Sequence, residues 1–189
     1  MIPLVGGVGA ELVGLLSSPV AQRRDAWLES LERRLHDLEG RVVGFRFDDL
    51  GQNEQFVSAT LQATHAALRT HQAEKLEALR NAVMNVAVSR APSEDLQLIF
   101  LNLVDSFTPA HLKILSLFQH PEITVREEFG RQRDLSDQVV RDLNDRGLIN
   151  DTRPYAARNR DDSESLVYYK WDVTNLGKQF LEFITSPGK

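Results

Sequence analysis

The sequence predicts a mainly α-helical chain: an N-terminal helical region, then a unit of helices closed by two short strands and a last helix. Three observations predict it. Apolar residues recur at spacings of three and four in segment after segment from Trp27 to Phe118. Residues 135–149, LSDQVVRDLNDRGLI, read as a helix that ends at a glycine and runs into a strand. Residues 166–172, LVYYKWD, alternate in hydropathy as a strand does, and Thr174 follows as a helix cap.

The composition is that of an ordinary globular protein, with 189 residues, 42% hydrophobic and 26% charged. The absence of cysteine excludes disulfides, thiolate zinc sites and cysteine nucleophiles, and agrees with a cytoplasmic location. The net charge of −5 opposes strong non-specific attraction to nucleic acid. Residues 106–189 hold 12 Lys/Arg against 13 Asp/Glu, residues 1–105 hold 10 against 14, so neither half is basic.

Residues 1–20 form an apolar, glycine-rich lead-in. Glu11 and the glycines make it a poor membrane span, and no basic residue precedes its apolar run as a secretory signal requires. Gly6-Gly7-Val8-Gly9 lacks the Gly-Lys-Ser/Thr of a phosphate loop. Leu12, Val13, Leu15 and Leu16 leave contact with a membrane surface open.

A helical region is expected over residues 21–106. Ser18-Pro19 reads as N-cap and first helical residue, and Leu28, Leu31, Leu35, Leu38 and Val42 supply the buried stripe, with Trp27 beside the first. Gly40 and Gly44 end that helix, and Phe45, Phe47 and Leu50 anchor a loop. Asn53 caps a helical pattern that runs to about Val88 through Phe56, Leu61, Leu68, Leu76, Leu79, Val83 and Val86, with a break at residues 70–72. Ser93 caps the next helix, whose expected buried residues are Leu96, Ile99, Phe100, Leu103 and Val104. These helices also offer a surface for a homodimer. His65 and His71 lie six apart without a carboxylate four residues on, so neither metal nor cofactor is expected. No order of Ser, His and Asp suggests a nucleophilic triad, and Asp48-Asp49 and Asp161-Asp162 read as solvated loop charges. His111 and His120 flank one helix and read as structural. The chain is expected not to be an enzyme.

Residues 107–189 read as a second unit. Thr108-Pro109 opens a helix filled by Leu112, Ile114, Leu115, Leu117 and Phe118. Thr124 and Glu127 have the spacing of a capping box for a short helix ending at Gly130. In the third helix Ser136 is the expected N-cap, Val139, Val140 and Leu143 share the buried face, and Gly147 takes the left-handed position after the helix. Strands at 148–151 and 166–172 enclose an arginine-rich loop, and Thr174 starts a closing helix with Leu176, Phe180, Leu181 and Ile184. This order is that of a winged helix-turn-helix with a two-stranded wing. Residues 142–149 (DLNDRGLI) and 173–181 (VTNLGKQFL) resemble the "L…RGLI … VT.LG..FL" pattern of bacterial winged-helix domains.

Such a domain suggests double-stranded DNA as a partner. On the third helix the outermost positions are Gln138, Arg141 and Asp145, flanked by Asp137, Asp142 and Asn144; Gln138, Arg141 and Asn144 are the types that read bases. Three aspartates against one arginine weaken that use. The wing is better suited to a phosphate backbone through Arg153, Tyr155, Arg158 and Arg160, although Asp161, Asp162 and Glu164 follow. The alternative is a protein partner docked by the same fold.

Residues 74–87 (EKLEALRNAVMNVA) and 97–118 (QLIFLNLVDSFTPAHLKILSLF) resemble the helical core of the bacterial abortive-infection alpha proteins, where a Leu/Asn-rich helix leads into one ending in "L(S/T)P.H..IL". That resemblance implies a cytoplasmic bacterial protein with a link to phage defence. It carries no catalytic residues to transfer.

Overall fold

The computed structural model describes residues 7–119, 132–151 and 171–187. The chain is mainly helical, with one small two-stranded antiparallel sheet near its C-terminus.

Helix α1 (Gly7–Glu39) is 33 residues long and passes straight through Pro19. The expected start at Ser18 is therefore wrong by more than two turns. Proline removes one helical hydrogen bond and crowds the carbonyl four residues back. Here that carbonyl belongs to Leu15, on a stretch where every residue from Val13 to Val20 is exposed and water can reach the helix. Further on, Trp27, Leu31, Leu35 and Leu38 are buried, while Leu28 stays 43% exposed, so the stripe runs from Trp27 rather than Leu28. Trp27 donates its indole N–H to Thr64 Oγ1 at 2.9 Å, and the Arg80 guanidinium lies 5.6 Å from its ring.

A 3-10 turn (Phe47–Gln52) replaces the expected plain loop, with Leu50 buried. The Glu39 carboxylate accepts from the Phe47 N–H at 2.7 Å and lies 3.3 Å from His36, and these contacts hold its pKa below the ordinary glutamate value. Asn53 caps α2 (Glu54–Leu68) by accepting from the Phe56 N–H. The buried face of α2 consists of Phe56, Ala59, Ala63, Ala66 and Ala67, and Leu61 is 56% exposed, against expectation. Small side chains let α2 lie close to α3 (Ala73–Ala87), and close approach outranks side-chain size there.

Helix α3 is the centre of the molecule, touching α1, α2, α4 (Glu94–Ser106), α5 (Pro109–Leu117) and α7 (Asn175–Ile184). In α4 the buried residues are Gln97, Phe100, Leu101, Leu103 and Val104; Ile99 points out, 49% exposed. Gln97 holds its buried place because its amide donates to the Pro92 carbonyl at 2.7 Å. Ser93 stands at the N-cap position without a side-chain capping bond. The chain then turns by 115° between α4 and α5.

Helix α6 (Arg133–Asp145) starts a turn before the expected cap. Ser136 lies inside it, 1% exposed, its hydroxyl donating to the Arg133 carbonyl at 2.8 Å. The C-terminus is as expected: Gly147 has φ +71°, its N–H donates to Asn144 O, and Leu148 N–H donates to Leu143 O at 3.0 Å, a Schellman motif. Strand β1 (Ile149–Asp151) pairs antiparallel with β2 (Trp171–Val173), Ile149 opposite Val173. The remainder of the expected second strand, the short helix at 124–130 and the wing lie outside the described residues. Thr174 caps α7, accepting from the Gly177 N–H at 3.0 Å and donating to Gly147 O at 2.7 Å.

One hydrophobic core runs from α1 to α7 across the expected boundary between residues 106 and 107. Phe100 meets Phe180 edge-on at 5.4 Å and Phe183 at 5.8 Å. The buried Asn85 donates its amide to the carbonyls of Phe183 (2.9 Å) and Thr185 (2.7 Å), and Asn81 donates to Ile184 O at 2.9 Å. Two side chains of α3 thus satisfy the last carbonyls of α7.

Candidate interaction surfaces

Two surfaces stand out, the outer face of α6 and the N-terminal arm of α1. On α6, Gln138, Arg141 and Asn144 are all exposed, as expected. The first two are not free, however. The Arg141 guanidinium donates to Gln138 Oε1 at 3.0 Å, and the Gln138 amide donates to Asp142 Oδ1 at 2.8 Å. The other oxygen of Asp142 lies 3.3 Å from His111 Nε2 on α5.

His111 is the residue that sequence reading undervalued. It occupies the third position of α5, where a capping-box side chain reaches back to the residue before the helix. Its Nδ1 accepts from the Thr108 N–H at 3.2 Å and lies 2.9 Å from the Thr108 hydroxyl. An accepting Nδ1 leaves the proton on Nε2, aimed at Asp142. The ring stacks on Phe107 at 4.6 Å, and burial pushes its pKa below the ordinary histidine value despite the pull of Asp142. The signal was present as Thr108-Pro109-Ala110-His111, an N-cap and third-residue pair with histidine in place of glutamate.

The chain Thr108–His111–Asp142–Gln138–Arg141 therefore locks the outer face of α6 to α5. Base-reading groups spent on one another, with Asp134, Asp137, Asp142 and Asp145 along the same helix, make a poor match to a phosphate backbone. The four wing residues, Arg153, Tyr155, Arg158 and Arg160, lie outside the described residues.

The arm of α1 is different in kind. Val13 is 68% exposed, Leu15 70%, Leu16 54% and Val20 43%. Val13, Leu16 and Val20 form one wall of a groove of about 540 Å³ whose other side is Leu68 of α2. That wall continues the stripe that α2 and α3 bury further along α1. No composition rule flagged the arm as helical, because glycines and a mid-helix proline hide it.

A buried amine also needs an account. Lys75, 8% exposed, donates from Nζ to the Asp105 carbonyl at 2.7 Å, at the C-terminal end of α4. Burial lowers its pKa, and the neighbouring Asp105 carboxylate, itself paired with Arg69, opposes that shift. A lysine in this position is a helix C-terminal partner. Among the described residues no group of His, Cys, Asp and Glu is arranged to hold a metal ion. No single helix among them is long and apolar enough to cross a membrane.

Compared with protein-family models, curated proteins and solved structures, the chain matches none.

Proposed function

We propose that this chain is a non-enzymatic interaction protein that docks through the N-terminal arm of α1, with a winged-helix-like C-terminal unit as its scaffold. One observation carries the reading: two turns of helix, Val13 to Val20, stand exposed on all sides while carrying four large apolar residues. Contiguous exposed apolar surface of this kind marks an interaction site. The order α5, α6, β1, β2, α7 supports the winged-helix description, and the tie from His111 to Arg141 suits a rigid support better than a DNA reader. The resemblance of residues 74–87 and 97–118 to abortive-infection proteins supports a link to phage defence.

The test compares the full chain with a variant lacking residues 1–20, by light scattering and by vesicle flotation. The docking reading expects a difference in at least one. Identical mass and identical partitioning would overturn it.

A DNA-binding regulator is the second reading. It is favoured by Gln138, Arg141 and Asn144 sharing an exposed face of a helix anchored to the sheet. It expects a mobility shift on duplex DNA below ~50 mM salt, weakened by reversing Arg153, Arg158 and Arg160 to glutamate. No shift at any such salt removes it.

A further inference from the structure

We infer that the occupant of the α1 arm is a lipid surface, an inference that rests on the docking reading above and names its partner. The exposed apolar residues of the arm point in more than one direction. At 100° per residue, Val13 and Leu15 project about 160° apart around the helix axis. Val13, Leu16 and Val20 face the groove beside Leu68, but Leu15 does not line it and is the most exposed of the four, at 70%. A single helix seated in that groove covers a narrow stripe and leaves Leu15 in water. A bilayer interface receives a wide apolar face at once.

The charges agree. Residues 12–22 contain no Asp, Glu, Lys or Arg, so about 16 Å of helix enters the headgroup region without burying a charge. The polar positions among them are serines and a glutamine, which water and headgroups satisfy equally well. Directly after this stretch come Arg23 and Arg24, both exposed, at the root of the arm. Arg24 is held by Asp25 at 3.0 Å, which leaves Arg23 to meet lipid phosphate where the helix leaves the interface. Lying flat also suits the sequence, since Glu11 and Arg23 bound the uncharged stretch to residues 12–22, well short of the ~20 apolar residues of a span.

The experiment is flotation of the full chain with phosphatidylcholine vesicles, and with phosphatidylcholine–phosphatidylglycerol vesicles, for the wild type and three variants. Leu15→Glu and Leu16→Glu should each lower partitioning about ten-fold. Arg23→Glu should lower it on the anionic vesicles alone. Circular dichroism and the melting temperature should be unchanged in all three, since each site is exposed. Wild-type protein that floats with neither vesicle, or a Leu15→Glu variant that floats as the wild type does, would overturn the inference. Light scattering separates that failure from failure of the docking reading. A dimer in the absence of lipid that Leu16→Glu splits and Leu15→Glu leaves intact makes the occupant a second copy of this chain. In that case the lipid inference falls and docking through the arm stands.

Discussion

Gly177 lies so close to the start of β1 that a Cβ there would sit 2.2 Å from the Leu148 carbonyl oxygen and 2.8 Å from Val173 Cγ1. Nothing flexible is available to move, because Leu148 O also accepts from the Thr174 N–H. Gly177→Ala should therefore destabilise the fold by about 1–3 kcal/mol, the usual cost of overpacking, read as a lower denaturant midpoint. A variant with an unchanged midpoint would show that α7 sits further from the strand. Ser89 presents the opposite case. It holds φ +56° at the end of α3, where the Arg90 N–H donates to Asn85 O at 2.9 Å, the geometry that glycine ordinarily supplies. Ser89→Gly should stabilise by a few tenths to about 1 kcal/mol, the relief of left-handed strain exceeding the added freedom of the unfolded chain. Sequence reading found Gly147 because its position follows from one helix end alone. It gave Gly177 only as a letter of the VT.LG..FL pattern and passed over Ser89, since a close approach and an unusual φ depend on what the rest of the chain brings near.

At the scale of elements, periodicity identified most of the helices and erred on their faces. Leu61 and Ile99 are exposed, while Gln97 and Asn85 are buried. Hydropathy ranks side chains singly, whereas the packing of α2 against α3 rewards small ones and hydrogen bonds admit polar ones. The joint between α5 and α6 yields a pH prediction of definite sign. Burial lowers the pKa of His111 in the folded chain below the unfolded value of about 6.5, despite the opposing pull of Asp142. Above that pH neither state carries the proton and the contribution is fully present. As pH falls through about 6.5 the unfolded chain takes up the proton first, so stability is lost on acidification until the folded pKa is reached. Urea midpoints at pH 7.5 and 5.5 should show that loss, and His111→Asn should reduce it. A wild-type midpoint that rises on acidification would refute the assignment. For the outer face of α6, exposure of Gln138, Arg141 and Asn144 was legible from the helix wheel. The hydrogen bonds that tie Gln138 to Arg141 and Asp142 were not, because Asp142 is drawn in by a histidine 31 residues away.

Across the whole molecule, the two halves of the chain share one core, and this decides what can be removed. Helix α7 supplies Phe180 and Phe183 to Phe100 of α4, and its last carbonyls take the amides of Asn81 and Asn85. Cutting after Ser106 would bare Phe100, 0% exposed in the intact chain, and would take from Asn81 and Asn85 the carbonyls that accept their amides. Each hydrogen bond exchanged for one to water forfeits about 0.5–1.5 kcal/mol and baring a phenylalanine about 1.5–3 kcal/mol, against a total stability of about 5–15 kcal/mol for a domain. A fragment of residues 1–106 should consequently lack a cooperative thermal transition by circular dichroism. The arm behaves oppositely. Residues 13–20 bury nothing in the core, so a chain starting at residue 21 should melt within about 2 °C of the full one. The pair of truncations tests where stability resides. A fragment of 1–106 that melts as sharply as the full chain would mean that α7 merely covers a core already complete without it.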